Sequence, residues 1–335
     1  MTISLVIVLI LVLAAEFANG MTDAPNAIAT VVSTRVLSPR KAVVMASCME
    51  IAGALITYVT GTAVAATIGK GIVDSSVIGL HTVAAALITI IVWTALAWRL
   101  GLPTSKTHEM VAGLTGAALA TAGPSALLWV GWEKVIIGLI LALVLGFTFS
   151  FLLMNIIYRI FNQINLSSIR KTFGRLQILS SAFMAFSHGT NDGQKFMGVF
   201  TLALVLGGVI DTFRVPIWVI ILCGLVMGSG TIMGGWRIIK TMGFKLTRLE
   251  PVNGFTAETS AGAAIVLSSF AGVPISTTHT INAAIMGVGA TRRFSAVRWG
   301  VTRRIVFTWL LTFPACGLLG YLVTLLIQWI VPGFK

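Results

Sequence analysis

Two nine-residue segments place a proline, hydroxyl side chains and a histidine in strongly apolar surroundings: GLPTSKTHE at 101–109 and GVPISTTHT at 272–280. Proline starts helices well, so each segment predicts a helix whose first amide groups have no partner within the helix. Inside a membrane such a helix start binds anions. Two of them predict a site for one tetrahedral oxyanion, unless the hydroxyls only cap their own helices. The side chains that add donors there are Ser105, Lys106, Thr107, Ser276, Thr277 and Thr278.

A second pair of motifs carries carboxylates. FANGMTD at 17–23 and FSHGTND at 186–192 share Phe-x-x-Gly-x-x-Asp. Asp23 and Asp192 would repel an anion, so we expect them to bind a coupling cation or to carry a proton; the alternative is that they tie two helices together. A carboxylate and an amide such as Asn26 suit a hard cation. A carboxylate also accepts a hydrogen bond from hydrogen phosphate but not from sulfate, which favours phosphate as the anion.

Other ionisable side chains lie in the same apolar segments, where their cost makes them functional candidates. We assign Glu50 and Glu258 to the path of the coupling cation or proton. His108 and His279 are related by the repeat of the polar segments, and a role in proton transfer is as well supported as a structural hydrogen bond.

The elements that position these side chains must lie in a membrane. The chain has 335 residues, 57% hydrophobic and only 10% charged, with a mean hydropathy of +0.97. Four long runs, 51–69, 135–158, 215–236 and 305–334, contain no Asp, Glu, Lys or Arg, and a spanning helix needs about 20 such residues. The sequence therefore predicts an all-α polytopic membrane protein. We expect the apolar N-terminus to be a retained first helix, because no Lys or Arg precedes it.

The motifs repeat at a nearly constant distance, 169 residues for the Asp motifs and 171 for the polar segments. Two independent motifs at similar offsets indicate duplication, with a first repeat at 1–158, a short basic connector at 159–175 and a second repeat at 176–335. In each half we predict a long helix, a second helix, a pair of shorter helices interrupted by the nine-residue polar segment, and a last helix. The short arms after the prolines favour re-entrant helical hairpins. A hairpin adds either no crossing or two, so three other helices make the number of membrane crossings per half odd. The second half then starts on the opposite side of the membrane, which predicts two repeats of inverted topology.

The predicted helices fall at 4–32, 43–68, 129–158, 176–210, 215–239 and 299–330, and the broken segments at 83–122 and 255–289.

The net charge of +13 is distributed unevenly along the chain. Sixteen of the 23 Lys and Arg residues fall in four loops that the predicted topology puts on one side, and four fall on the other. This asymmetry predicts that the basic loops are cytoplasmic, that both termini lie outside, and that no nucleic acid is bound. The sixteen are Arg35, Arg40, Lys41, Arg159, Arg170, Lys171, Arg175, Arg237, Lys240, Lys245, Arg248, Arg292, Arg293, Arg298, Arg303 and Arg304.

The segments SHGTNDGQKFMG (187–198) and GVPISTTHT, and more loosely NGMTDAPNAIAT (19–30), resemble the signatures of the inorganic phosphate transporter (PiT) family. The resemblance covers essentially the whole chain. It implies cation-coupled symport of phosphate, with H+ or Na+, into the cell across the cell membrane, with no cofactor and as a homodimer. It also implies that Asp23, Asn26, Asp192, Gln194 and Lys195 surround the ion and phosphate sites. Thr104 would join the hydroxyls that hold the anion.

Three features depart from the family pattern. The first Asp motif reads Thr22-Asp23 with Pro25 before Asn26, which leaves the coupling cation open. Lys106 replaces a threonine and either strengthens anion binding or pairs with Glu109, three residues further along the same helix face. The large hydrophilic domain between the halves of many members is absent, and only the basic connector joins them.

Other classes of protein explain less of the sequence. THEMVA begins like the zinc-protease motif HExxH, but position 112 is alanine, so the second ligand is missing. An intramembrane aspartyl protease would use two facing carboxylates, and the hydroxyl-rich segments would then be unexplained. A channel would not need two paired helix starts that bind an anion. The three cysteines form no metal-binding pattern. We therefore predict a transporter and not an enzyme, with a sulfate or other oxyanion permease as the alternative.

Overall fold

The computed structural model describes residues 2–331, and no strand occurs among them. Their helices are α1 (Ile3–Ser33), α2 (Pro39–Thr60), α3 (Ala63–Gly71), α4 (Leu80–Leu100), α5 (Lys106–Ala122), α6 (Trp129–Phe161), α7 (Leu166–Leu206), α8 (Ile217–Met233), α9 (Trp236–Lys240), α10 (Pro251–Phe270), α11 (Thr277–Arg292) and α12 (Trp299–Ile330). Within 2–331, five helices are long and apolar enough to cross a membrane, or six if α8 and the bent segment after it form one span. The predicted all-helical membrane architecture is confirmed.

Two predicted helices are broken by glycine. The prediction at 43–68 is in fact α2 and α3, separated at Gly61, whose φ of 97° lies in the left-handed region. The prediction at 215–239 ends at Gly234, and the chain then bends by 61° into α9 and a π-helical turn, Thr241–Lys245. Hydrophobicity continues through both breaks, so composition did not reveal them.

The basic connector at 159–175 is mostly helical. α6 continues to Phe161 and α7 begins at Leu166, ten residues earlier than predicted. The side chain of Asn165 caps α7 by accepting a hydrogen bond from the Ser167 amide at 3.0 Å. The basic side chains of this region are therefore carried mainly on helix ends.

The two polar segments link α4 to α5 and α10 to α11. The prolines lie outside the helices, because α5 begins at Lys106 and α11 at Thr277. The expectation that the helix starts directly after each proline is therefore wrong by two residues. Extended backbone at Ser105 and Ser276 allows each serine hydroxyl to cap its helix through the amide of His108 or His279.

Glycines bring helices of the two halves into backbone contact. A Cβ atom at Gly20 in α1 would lie 2.1 Å from the carbonyl oxygen of Met227 in α8, and one at Gly189 in α7 would lie 2.2 Å from that of Glu50 in α2. The glycines are 169 residues apart and their partners 177. α1 therefore crosses α8 and α7 crosses α2, so each crossing joins helices of the two predicted halves.

The polar centre lies between two apolar cores. In α1, the residues from Leu5 to Ala15 belong to one core and those from Ala27 to Val31 to the other. In α7 the order is reversed, with residues 173–185 in the second core and 196–204 in the first. The central turns of α1 and α7 thus meet where both cores are interrupted by buried polar side chains.

Candidate functional site

The carboxylates of Asp23 and Asp192 lie on either side of His188. The Nε2 atom of His188 is 4.0 Å from Oδ2 of Asp23 and 3.7 Å from Oδ2 of Asp192. α1 supplies the first carboxylate, and α7 supplies the histidine and the second carboxylate four residues later on the same helix face. The fold therefore brings together the two Asp motifs that the sequence pairs by their spacing.

Glu50 of α2 orients this histidine. Its Oε1 lies 2.8 Å from Nδ1 of His188, and its Oε2 accepts a hydrogen bond from Thr231 of α8. In a neutral imidazole with its proton on Nδ1, the lone pair of Nε2 then faces the two aspartates, and Nε2 has no other partner among the described residues. Asp23, His188 and Asp192 each offer one ligand atom within 4.8 Å of the others, so they can hold a metal ion, with Glu50 as the outer partner that fixes the imidazole.

Asp23 is surrounded by neutral polar groups, which we call the first site: Asp23, Asn26, Thr277 and Thr278. The amide nitrogen of Asn26 donates to Oδ2 of Asp23 at 3.1 Å and approaches the hydroxyls of Thr277 and Thr278 at 3.3 and 3.1 Å. The Thr278 hydroxyl also lies 3.3 Å from Asp23. The start of α11 is thus joined to the centre of α1.

Asp192 is instead paired with an ammonium group, in what we call the second site: Asp192, Lys195, Lys106 and Thr107. Nζ of Lys195 lies 2.7 Å from Oδ1 of Asp192 and 3.0 Å from the carbonyl oxygen of Ile275. The Thr107 hydroxyl donates to the same carbonyl at 3.3 Å. This carbonyl belongs to the extended link before α11, where it is not used by a helix.

Lys106 belongs to the second site by its position in the repeat, but its carboxylate neighbours are Glu109 and, in the first site, Asp23. Its Nζ is 3.0 Å from Oε1 of Glu109 and 3.8 Å from Oδ1 of Asp23. Glu109 also accepts hydrogen bonds of 2.6 Å from Thr94 and from Thr104. The predicted alternative, in which Lys106 pairs with Glu109, is what the structure contains, and Thr104 is held by the same carboxylate.

The centre is buried and formally negative. The carboxylates of Asp23, Glu50, Glu109 and Asp192 and the ammonium groups of two lysines are no more than 3% exposed. These groups leave a formal charge of −2 when all six are ionised and His188 is neutral. Unpaired charge in a low-dielectric interior is costly. A cation bound here would therefore lower the cost of admitting an anion beside it.

His108 and His279 pack against each other at the starts of α5 and α11. Their ring centroids are 4.6 Å apart, and α12 covers them with Trp309, 3.7 Å from His279, and Phe313, 4.3 Å from His108. Nδ1 of His279 lies 2.5 Å from the Ser276 hydroxyl. The two polar segments are thus brought together by aromatic packing, and proton transfer by these histidines stays a prediction.

Gln194 uses both ends of its amide within the protein. Its Oε1 accepts from the amides of Val64 and Ala65 at 3.1 and 3.3 Å, and its Nε2 donates to the carbonyl of Thr190 at 2.7 Å. It therefore caps the start of α3 after the break at Gly61. Its predicted place in the phosphate site is not supported by these contacts and stays a prediction.

Glu258 lies apart from the central carboxylates. It accepts hydrogen bonds from Thr30, Ser180 and Gln177, and Thr30 is seven residues, about 10 Å, beyond Asp23 along α1. Gln177 in turn accepts from Thr34 at 2.9 Å. A polar track therefore leads from the central site past Glu258 to the end of α1.

Thr34 lines a cavity of about 1040 Å³ at that end of the molecule. Arg292 at its wall forms an ion pair of 2.8 Å with Glu250. The arginines that line the cavity are Arg35, Arg170, Arg248, Arg292 and Arg298. Their charge makes the cavity attractive to anions.

Sequence reasoning counted His188 among the buried ionisable candidates without giving it a role, gave Glu109 only a possible pairing with Lys106, and did not identify the carbonyl of Ile275. A signal existed for the first two. His188 precedes Asp192 by four residues, and Glu109 follows Lys106 by three, so each shares a helix face with a predicted site residue. The carbonyl has no sequence signal, since every residue carries one.

Comparisons with known proteins agree on one family. The model of the "Phosphate transporter family" matches residues 19–320. The chain is 41% identical over 318 residues to the "Probable low-affinity inorganic phosphate transporter" of Bacillus subtilis, covering 94% of each chain, and 41% identical over 308 residues to that of Rhizobium meliloti, covering 92% of this chain and 91% of the relative. It is also similar to a solved structure named "The sodium-dependent phosphate transporter", with a TM-score of 0.90 and 26% identity over 98% of this chain and 100% of the other. Each relative is named as a transporter.

Proposed function

Because the chain belongs to the phosphate transporter family, we propose that it is a secondary active transporter that carries inorganic phosphate into the cell together with a cation, either H+ or Na+. The observation that carries this proposal is the buried centre, where two helix starts with hydroxyl side chains meet two carboxylates. Helix starts and hydroxyls donate hydrogen bonds to an oxyanion, and carboxylates hold the cation that accompanies it. The sodium-dependent protein of similar fold supports a cation-coupled mechanism.

The anion would bind between the starts of α5 and α11. Thr107, Thr277 and Thr278 present hydroxyls there, while Ser105 and Ser276 mainly cap their helices. The two caps hold the helix starts in place, so the remaining amides can face the substrate. Asp23 and Asn26 would hold the coupling cation, with Asp192 adding its negative charge nearby and Glu50 acting through His188.

We further propose that the two halves are inverted repeats and that α4–α5 and α10–α11 are re-entrant hairpins. The backbone contacts at Gly20 and Gly189 support the repeat, because they join equivalent helices at equivalent points. The glycine-led reversals at Gly101 and Gly272, with φ of 65° and 67°, support the hairpins. Transporters of this design alternate access by moving one bundle against another around a fixed site.

The arginine-lined cavity supports an orientation with this end of the molecule in the cytoplasm. The basic loops that we predict to be cytoplasmic contribute its arginines. Phosphate released from the centre would pass Glu258 and enter this cavity, where positive charge offsets the negative charge of the anion. The carboxylate of Glu258 then lies on the exit path and not in the central site.

The test is uptake of radiolabelled phosphate by proteoliposomes that contain the purified protein. We expect an imposed inward cation gradient to drive accumulation and arsenate to compete with phosphate. If sulfate competes more strongly than arsenate, the substrate is another oxyanion. If no gradient drives uptake of either anion, the proposed function is wrong.

The coupling ion is tested in the same vesicles. A sodium gradient alone and a proton gradient alone are imposed in turn, with the membrane potential clamped by an ionophore. Uptake that follows only one gradient identifies the ion, and equal uptake without any gradient contradicts coupled transport.

A further inference from the structure

The first and second sites occupy equivalent positions in the two halves of the sequence. Asp23 and Asn26 correspond to Asp192 and Lys195 at an offset of 169. Thr278 and Thr277 correspond to Thr107 and Lys106 at an offset of 171. Each site therefore has an aspartate and a threonine. The other two residues are neutral in the first site, Asn26 and Thr277, and are both lysines in the second.

The residues of the first site are one carboxylate and three neutral groups, and the nearest ammonium, that of Lys106, lies 3.8 Å from the Asp23 carboxylate. The Asp23 carboxylate and the Thr277 and Thr278 hydroxyls lie around the Asn26 amide, within 3.3 Å of its nitrogen. An amide can present either end, and its orientation is assigned from its hydrogen bonds. With the oxygen turned inward, this set supplies four oxygen ligands, which a small cation prefers. Each threonine hydroxyl that offers its lone pair to the cation keeps its proton to donate to the anion.

The second site already contains a cation. The Lys195 ammonium lies 2.7 Å from the Asp192 carboxylate and 3.0 Å from the Ile275 carbonyl, and the lysine is 1% exposed. A carboxylate and a free backbone carbonyl are the ligands that a bound sodium ion would use. Lys106, also buried, brings a second ammonium group between Asp23 and Glu109. A mobile cation entering at Asp192 would face the fixed charge of Lys195, which already uses the carboxylate and the carbonyl.

A role in phosphate binding does not by itself account for these contacts. Two of the three protons of the Lys195 ammonium are directed to Asp192 and Ile275, which leaves at most one for a substrate. The ammonium group of Lys195 therefore mainly neutralises the Asp192 carboxylate. In the other half, the mobile coupling cation would neutralise the Asp23 carboxylate in the same way.

We propose that Lys195 is a tethered cation that occupies the second of two equivalent cation positions, so that at most one mobile cation binds with each phosphate. This inference rests on the proposed function and deepens it, because it sets how many cations the central site accepts. The first site keeps the exchangeable position, and the second carries its positive charge in the chain itself.

The experiment gives the second site the residues of the first. The double variant Lys195→Asn/Lys106→Thr is compared with the wild type and with Lys171→Asn, which removes an exposed lysine of the same charge. Binding of ²²Na+ to purified protein is measured in saturating phosphate. The wild type and the control should bind one sodium ion per chain or none, and the double variant should bind one more.

Sodium dependence of phosphate uptake is the second readout. The Hill coefficient cannot exceed the number of sites. If the wild type binds one sodium ion, the coefficient should rise from about 1 toward 2 in the double variant; if the wild type binds none, sodium dependence should appear in the double variant with a coefficient of about 1. Wild-type protein that binds two sodium ions per chain overturns the inference without any variant, so misfolding of the double variant does not leave it untested. A folded double variant with unchanged sodium binding also overturns it. Failure of phosphate uptake in every gradient would refute the proposed function, while the binding stoichiometry still decides this inference.

Discussion

The two aspartates at the centre share a sequence motif but have different partners. Asp23 is held by neutral hydrogen bonds from Asn26 and Thr278, with the nearest ammonium 3.8 Å away. Asp192 is in a direct ion pair of 2.7 Å with Lys195. Duplication can supply equivalent positions, and a few substitutions then give them different charges. The first carboxylate is free to exchange its partner, whereas the second has a partner fixed to its own helix.

The starts of α5 and α11 differ in the same way. Both begin after a capping serine and carry a histidine that packs against the other. Glu109 in α5 gathers Lys106, Thr94 and Thr104, whereas its equivalent Thr280 bonds only to the carbonyl of Ser276 at 2.8 Å. The first hairpin is thus held by charges and the second by neutral bonds.

The largest effect should come from neutralising the ion-paired aspartate. Asp192→Asn leaves Lys195 buried without its partner and should lower the free energy of unfolding by about 3–5 kcal/mol. We also expect it to abolish coupled phosphate uptake, because it removes a carboxylate from the centre. Asp23→Asn should also stop coupled uptake. It should lower the melting temperature much less, because Lys106 keeps its ion pair with Glu109. Melting in detergent and uptake in vesicles are measured for both.

The exposed Asp211→Asn serves as the control for this pair, since it makes the same chemical change outside the centre. Equal melting temperatures for Asp192→Asn and Asp23→Asn would contradict the difference between the two sites.

Replacing Glu109 by the residue of the other half should be the next most harmful change. Glu109→Thr leaves the Lys106 ammonium with only the distant Asp23 carboxylate and should destabilise the fold by about 3 kcal/mol. Adding Lys106→Thr removes the unpaired charge and should restore most of the loss. The four proteins form a double-mutant cycle read by thermal unfolding. Additive effects would show that the two residues are not coupled.

The glycine contacts predict equal effects in the two halves. Gly20→Ala and Gly189→Ala each place a methyl group about 2 Å from a backbone carbonyl, so the helices must separate. We expect each to lower stability by about 1–3 kcal/mol. Gly300→Ala in α12, which meets no atom within 4 Å, is the matched control. A loss in only one of the two variants would break the equivalence of the crossings.

The smallest effect should come from Gln194. Its equivalent in the first half is Pro25, which cannot cap a helix and instead lies beside Gly235 at the start of α9. Gln194→Ala should lower stability by about 1 kcal/mol through the lost cap of α3, with the KM for phosphate unchanged. A large rise in KM would instead place Gln194 at the substrate.

Several features of this fold follow directly from local sequence. The charge-free runs predict membrane helices, and α12 begins and ends where predicted. The breaks after Thr60 and Met233 were missed because glycine breaks a helix through backbone conformation, and hydropathy does not record it. The helix starts were predicted two residues too early, because the serines that follow the prolines, and not the prolines themselves, cap the helices.

For the candidate site, the sequence by itself determined which residues are candidates for the polar centre: the repeated Asp motifs, the hydroxyl-rich segments and the lysines that interrupt them. It also indicated the Lys106–Glu109 pair, since three residues along a helix bring side chains together. Only the tertiary structure decided that His188 lies between the aspartates, that Lys195 takes Asp192 and Ile275, and that Glu258 lies on a separate track. In a buried interior, which polar groups pair depends on distances below 4 Å between their atoms. Helix crossings at glycines set these distances, and they join residues more than 130 positions apart in the chain, such as Glu50 and Gly189.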